Sequence, residues 1–208
     1  MHSLNVLELF AGSRSFSKSA EKMGHKTFTS DAESFEKIDY VCDIFDFDTS
    51  IVPFKPDIIW ASPPCTTFSI ASCSTHWTRN RKPKTENAKI GVKIVQKTLE
   101  IIEELQPKYF VIENPRGLLR KLNLIDQETM KTVWYCTYGD KRAKPTDIWT
   151  NIEKWIPKPV CHNGNKNCHH EPAPRGSKTG TQGLKGSYNR SKVPEQLCED
   201  ILNSVRIF

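Results

Sequence analysis

Cys65 stands directly after two prolines in "IIWASPPCTTFSI" (58–70), where an apolar run stops and a loop begins. Pro63 and Pro64 fix two backbone torsions and cannot continue a central strand, so the thiol is held at a rim and not packed in a core. A cysteine in that position can act as a thiolate nucleophile. "VIENPRG" supplies a second group. Glu113 ends another apolar run, where a carboxyl can give a proton or hydrogen bond to a ring nitrogen, or cap a helix starting near Arg116. "ELFAGSRSF" puts Gly12 at a strand-to-helix turn, either as a plain tight turn or as a close backbone approach to a bound cofactor. Asp31 ends the next apolar run, placed to accept hydrogen bonds from ribose hydroxyls. Asp43 ends a third, placed for an adenine amino group or as a solvated cap.

Those groups act together only if the chain gathers them. "LNVLELF", "HKTFTSD", "YVCDI", "PDIIWAS", "KYFVIENP", "KTVWYCTYG" and "TDIWTN" read in order as strands. "SFSKSAEKMG" has helical spacing through Phe16, Ala20 and Met23 and stops at Gly24, and "VPEQLCEDILNSV" is a helix begun by Pro194. Between them, Ile90, Ile94, Thr98, Ile101, Ile102 and Leu105 fall on one face of a helix over 87–105. Strands alternating with helices in the first half predict an α/β, doubly wound, mostly parallel sheet, whose ligands bind beyond the carboxyl ends of the strands. Gly12, Asp31, Asp43, Cys65 and Glu113 then share one rim. "AGSRS" lacks the glycines of a pyrophosphate-binding loop, and a cofactor without phosphates, such as S-adenosylmethionine, needs no anion cradle.

The 208 residues favour one main domain over 1–150, an irregular basic Cys/His-containing segment over 151–192, and a C-terminal helix over 193–208 that packs back. With 37% hydrophobic and 26% charged residues and no apolar stretch near the roughly 20 that a membrane span needs, a soluble protein is expected. "MHSLNVLELF" has no secretory pattern, so a cytoplasmic setting is expected, and there seven cysteines are not a disulfide framework. The formal charge of +6 permits a polyanionic partner, and no obligate protein partner is indicated.

"LELFAGSRSF", "SPPCTTFS" and "IENP", in this order and spacing, resemble the cytosine carbon-5 DNA methyltransferases over residues 4–150. "YCTYGDKRAKPTDIWTN", "APRGSKTGTQG" and "VPEQL" are similar to the compact phage-encoded members. The resemblance implies a methyltransferase-type sheet and S-adenosylmethionine as cofactor, contacted by Phe10, Gly12, Asp31, Asp43 and Pro64. It also implies DNA as substrate, a covalent bond from Cys65 to carbon 6 of the pyrimidine, and Glu113 at ring nitrogen 3. A bacterial or phage-infected host cell is the matching setting. The family's second glycine is replaced by Arg14, and the glutamine after its nucleophile by Thr66. Its paired arginines have Arg142 or Lys144 as substitutes, and no large target-recognition domain fits in the chain. RNA (tRNA) methylation and a catalytically silent DNA-binding protein are the alternatives.

Two segments are candidates for DNA contact. "STHWTRNRKPKT" combines Arg79 and Arg81 with Trp77, as a loop that tracks phosphates and offers an aromatic face to a base, or as a solvated basic loop. The other spans 141–192. Within it, "CHNGNKNCHH" makes Cys161, Cys168 and His169 candidate ligands of a structural zinc, with His162, His170 or another residue as the fourth. Cys42 and Cys198 read as core; Cys73 and Cys136 are unassigned.

Overall fold

The computed structural model describes residues 3–172 and 186–205. Seven strands form one sheet: β1 (Asn5–Leu9), β2 (Lys26–Asp31), β3 (Tyr40–Val41), β4 (Ile58–Ala61), β5 (Tyr109–Pro115), β6 (Met130–Trp134) and β7 (Pro145–Thr150). Their order is β3-β2-β1-β4-β5-β7-β6; the first five are parallel, and β7 runs antiparallel to both neighbours. The carboxyl ends of β1, β2 and β4 therefore lie on one edge, together with the end of β5.

Successive strand residues point to opposite faces, and the central strands are apolar on both. Val6, Ile58, Trp60, Val111 and Ile148 face one layer, where α1 (Ser15–Lys22) and α5 (Glu195–Ser204) bury Phe16, Ala20, Leu197 and Ile201. Phe16 stacks on Trp60 with ring centroids 4.5 Å apart. Leu7, Leu9, Ile59, Ala61, Ile112 and Trp149 face the other layer, under α3 (Glu86–Leu105). Among the described residues two short helices complete the set, α2 (Cys73–His76) and α4 (Ser187–Ser191).

Two elements differ from expectation. The buried stripe of α3 runs through Ala88, Gly91, Val95, Thr98 and Ile101, which leaves Ile90 exposed. The reason is Gly91, where the helix lies against the loop after Cys65. The run "KTVWYCTYG" is strand only to Trp134, then tightens into a 3-10 turn over Tyr135–Tyr138 closed by Gly139 at φ 86°. From Asn151 to Pro172 there is no helix or strand, only an isolated bridge between Arg142 and Glu171. "APRGSKTGTQG" lies outside the described residues.

Candidate active site

Two hydrogen bonds join the Cys65 loop to β5 and the chain leaving it. Asn114 Nδ2 donates to the Pro63 carbonyl at 2.9 Å, in a fully buried pair. Leu118 N donates to the Phe68 carbonyl at 2.7 Å. Gly117 allows that approach, because a Cβ there would sit 2.3 Å from the Phe68 carbonyl oxygen. From behind, a Cβ on Gly91 would lie 2.8 Å from Thr67 Oγ1, and Trp77 Nε1 donates to the Thr67 carbonyl at 2.8 Å. The Cys65 carbonyl accepts from Phe68 N and Ser69 N, which curls the loop and leaves the thiol half-buried at the rim. No helix starts at Arg116 for Glu113 to cap; the next helical turn is Leu119–Lys121.

Glu113 is buried on β5, and its Oε1 accepts from the Tyr135 hydroxyl at 2.8 Å with Lys144 Nζ 3.7 Å away. Among the described residues no hydrogen bond engages Oε2. Burial and the adjacent carboxylate push the Tyr135 hydroxyl well above its ordinary range, which keeps it a donor. Burial also raises the Cys65 thiol. Lys144 and Arg190 pull it back while Glu113 pushes it further up, so the thiol lies in the field of all three. Lys144 also lies 4.6 Å from the Tyr135 ring centroid. Cys65, Glu113, Tyr135 and Lys144 thus form one electrostatic unit, although they come from β4, β5, β6 and β7 or the turns beside them.

Along the same rim, Phe10, Gly12 and Arg14 adopt left-handed backbone at φ 56°, 46° and 56°. Arg14 therefore takes the conformation that a glycine adopts freely, at a cost of about 1–3 kcal/mol, while its guanidinium pairs with Glu21. Below this loop the buried Glu8 accepts from Phe16 N at 3.2 Å and Ser17 N at 2.8 Å, capping α1 from inside the sheet. Gly12 N donates to Asp31 Oδ2 and Glu33 N to Asp31 Oδ1, both at 2.9 Å, leaving each carboxylate oxygen further acceptor capacity. Asp31 is partly exposed, as a ribose-binding carboxylate must be. Asp43 caps the turn Ile44–Asp46 through Phe45 N at 3.0 Å and stays exposed, as does Pro64. The chain returns after 185 across this loop, where Val193 N donates to Ser15 Oγ at 3.1 Å. These groups fit a nucleoside cofactor without phosphates, since the loop offers acceptors and no cluster of cations.

The basic candidates separate. Lys144 joins the site. Arg142 is buried and occupied by the protein itself, through Asp140, the Arg190 carbonyl at 3.2 Å and the Lys192 carbonyl at 2.9 Å. Arg79 is exposed, and Arg81 is exposed with Nη1 on the Lys121 carbonyl at 3.2 Å. Trp77 corrects an expectation. It is buried against Phe68, held by its indole hydrogen bond, and offers no face to a base. The apolar loop residues beside it account for this, since the indole closes the layer under α3.

A second cluster includes the residue that follows Tyr135. The side chains of Cys136, Cys161, Cys168 and His170 bring one ligand atom each to within 4.8 Å of one another. His169, the expected ligand, is turned instead to the Asp140 carbonyl, 3.1 Å from its Nε2. Glu8, Asn114, Tyr135 and Cys136 carry no chemical signal in the sequence beyond a polar residue inside an apolar strand or motif.

Solved structures share the fold. A "putative DNA modification methyltransferase encoded within prophage" of E. coli superposes with a TM-score of 0.53 at 18% identity, over 77% of this chain and 53% of that one. The methyltransferase EhMeth of Entamoeba histolytica gives 0.52 at 15%, over 78% and 57%. The chain spans about half the length of these structures. The sheet is thus of the methyltransferase type. A "Probable DNA (cytosine-5)-methyltransferase" of Frog virus 3 (isolate Goorha) is 30% identical over 219 residues, covering 96% of this chain and 99% of the relative. The sequence pattern of the C-5 cytosine-specific DNA methylases matches residues 4–134, and the chain belongs to that family.

Proposed function

We propose that this chain methylates carbon 5 of cytosine in DNA, through a transient bond between the Cys65 sulfur and carbon 6 of the ring. The observation that carries this is the buried Asn114–Pro63 hydrogen bond, which locks the strand bearing Glu113 to the loop bearing Cys65. Carbon 5 of cytosine is a poor nucleophile. Attack of the Cys65 thiolate on carbon 6 moves an electron pair toward nitrogen 3, where Glu113, steadied by Tyr135, holds the proton or hydrogen bond that stabilises it. Carbon 5 then has enamine character. Phe10, Gly12, Asp31, Asp43 and Pro64 would hold S-adenosylmethionine, which when bound would supply the methyl group as an electrophile. Loss of the carbon-5 proton to solvent and breakage of the sulfur–carbon bond restore the ring and the thiolate. In duplex DNA the base must first leave its stack.

The match of nearly the whole chain to a viral relative supports a compact viral form of the family, working in an infected cell. Among the described residues no helix is long and apolar enough to cross a membrane. On this reading Lys144 works at the catalytic rim, Arg79 and Arg81 contact DNA phosphates, and the Cys/His cluster holds a structural zinc. The test supplies tritiated S-adenosylmethionine with DNA and tRNA in parallel, and separately DNA containing 5-fluorocytosine. Label in DNA and a covalent complex that needs Cys65 are expected. Label in tRNA alone, or DNA binding without transfer, would overturn the reading.

A further inference from the structure

Resting on the zinc reading above, the geometry points to Cys136, Cys161, Cys168 and His170 as a complete tetrahedral zinc site that staples the irregular segment to the catalytic sheet. Zinc takes four thiolate or imidazole ligands at about 2.3 Å for sulfur and 2.0–2.1 Å for nitrogen, so ligand atoms around it stand about 3.5–3.8 Å apart. Cys161 Sγ and His170 Nδ1 are 3.8 Å apart, and all four ligand atoms lie within 4.8 Å of one another. Three of the four residues are buried and Cys168 is partly so, which keeps competing water out. Asn165 Nδ2 lies 3.4 Å from Cys161 Sγ, a donor of the kind that steadies a metal-bound thiolate.

The segment gives the reason for a metal. Residues 151–172 form no helix or strand; Ile152 and Trp155 anchor the start of the segment in the main core, and beside the four residues the apolar cluster among the described residues is Trp134, Cys136, Ala143 and Cys161, with Cys168 packed against it. Burial on that scale does not order the stretch beyond Trp155; a metal does. Cys136 comes from the turn after β6, and the other three come from the segment, so one ion joins two stretches remote in sequence. Cys136 also follows Tyr135, whose hydroxyl rests on Glu113. The staple therefore holds the turn that positions the carboxylate. Binding releases the three thiol protons to solvent. With Nδ1 on the metal the ring proton sits on Nε2, so the 3.2 Å contact of Gly164 N with Nε2 must open.

The test is metal content, read without substrate or cofactor and thus independent of methyl transfer. The full chain, purified without chelator and supplied with zinc, should hold one zinc per molecule. Cobalt in its place should show thiolate charge-transfer and tetrahedral absorption bands. Cys136→Ser and His170→Ala should weaken zinc binding by more than about 100-fold, beyond what loss of a supporting partner costs. His169→Ala and Cys73→Ser should keep it, with circular dichroism reporting that each variant is folded. A zinc-free wild type, a disulfide among these cysteines in the native protein, or His169→Ala losing as much zinc as His170→Ala would overturn the proposal. If the cobalt protein lacks thiolate bands, the ligand set is wrong.

Discussion

The Cys65–Glu113 rim and the segment 151–172 are ordered by opposite means. At the rim each group stands at the end of a strand paired along its length, and the two loops are tied by backbone and amide hydrogen bonds. The segment has no ladder to hang from; it is held by the single bridge of Glu171 to Arg142, by Ile152 and Trp155 in the main core, by His169 on Asp140 and Trp155 on Asp200 at 2.9 Å, and by the thiol–imidazole cluster. A sheet can therefore hold a reactive thiol that contributes nothing to the fold, whereas in the segment the reactive groups are the fold. Removing chemistry from the first region should leave structure intact, and in the second it should not.

The largest separation is expected from Cys65→Ser. Methyl transfer should fall by at least about 10³-fold, as for loss of a covalent nucleophile, with the melting temperature unchanged. Since burial raises the Cys65 thiol, complex formation with 5-fluorocytosine DNA in the wild type should speed up as pH rises above 7, following the thiolate fraction. Lys144→Met removes a cation that lowers that thiol and should move the profile to higher pH; an unmoved profile would take Lys144 out of the site. Glu113→Gln comes next, with a loss of about 10²–10⁴-fold for a group that holds a proton in the transition state. Full activity in either the Cys65 or the Glu113 variant would end the comparison, because the rim would then be structure and not chemistry.

A pair of intermediate perturbations sharpens the contrast. Gly117→Ala forces a methyl group against the Phe68 carbonyl and should cost about 1–3 kcal/mol, read by urea unfolding, while leaving metal content unchanged. Chelation should do the reverse. It should open the segment to trypsin at Lys154 and Lys166 before the sheet melts. Cleavage at equal rates with and without chelator would mean that something other than metal orders the segment.

What could be read from the sequence follows the same division. Strands and helices carry periodic apolar patterns, so the sheet, the strand-end positions of Asp31, Cys65 and Glu113, and the packing helix begun by Pro194 were legible. Contacts that depend on chain return were not. Trp77 reads as an aromatic in a basic loop because nothing local shows that Thr67 and Phe68 will cover it. Arg142 reads as a free cation because, beyond Asp140 two residues before it, the acceptors that bury it are backbone carbonyls of Arg190 and Lys192, about fifty residues on. Cys136 has no neighbour in sequence to mark it as a ligand, and His169 stands as a candidate with His170 among the choices for the fourth place, because adjacent histidines are equivalent until one is turned inward.

The effect most distant from the chemistry tests whether the cofactor loop belongs with the rim in being supported from within the sheet. Burial pushes the Glu8 carboxyl from 4.5 up to about 7, against the lowering influence of the Ser17 and Phe16 N–H groups that it caps. A carboxyl raised on folding stabilises the protein below its unfolded pKa, and that contribution is lost as pH rises through the folded one. Between pH 4.5 and 8 the wild type should lose roughly 3 kcal/mol from this group alone. Glu8→Gln cannot ionise, so its stability relative to the wild type should climb by that amount over the same range. Gln keeps only one acceptor oxygen for the two N–H groups, so the variant should start below the wild type at pH 4.5. Unfolding curves in urea at four pH values would decide it. Parallel pH dependence in the two proteins would mean that Glu8 stays ionised throughout, and that helix α1 is capped by charge and not by a buried neutral acid.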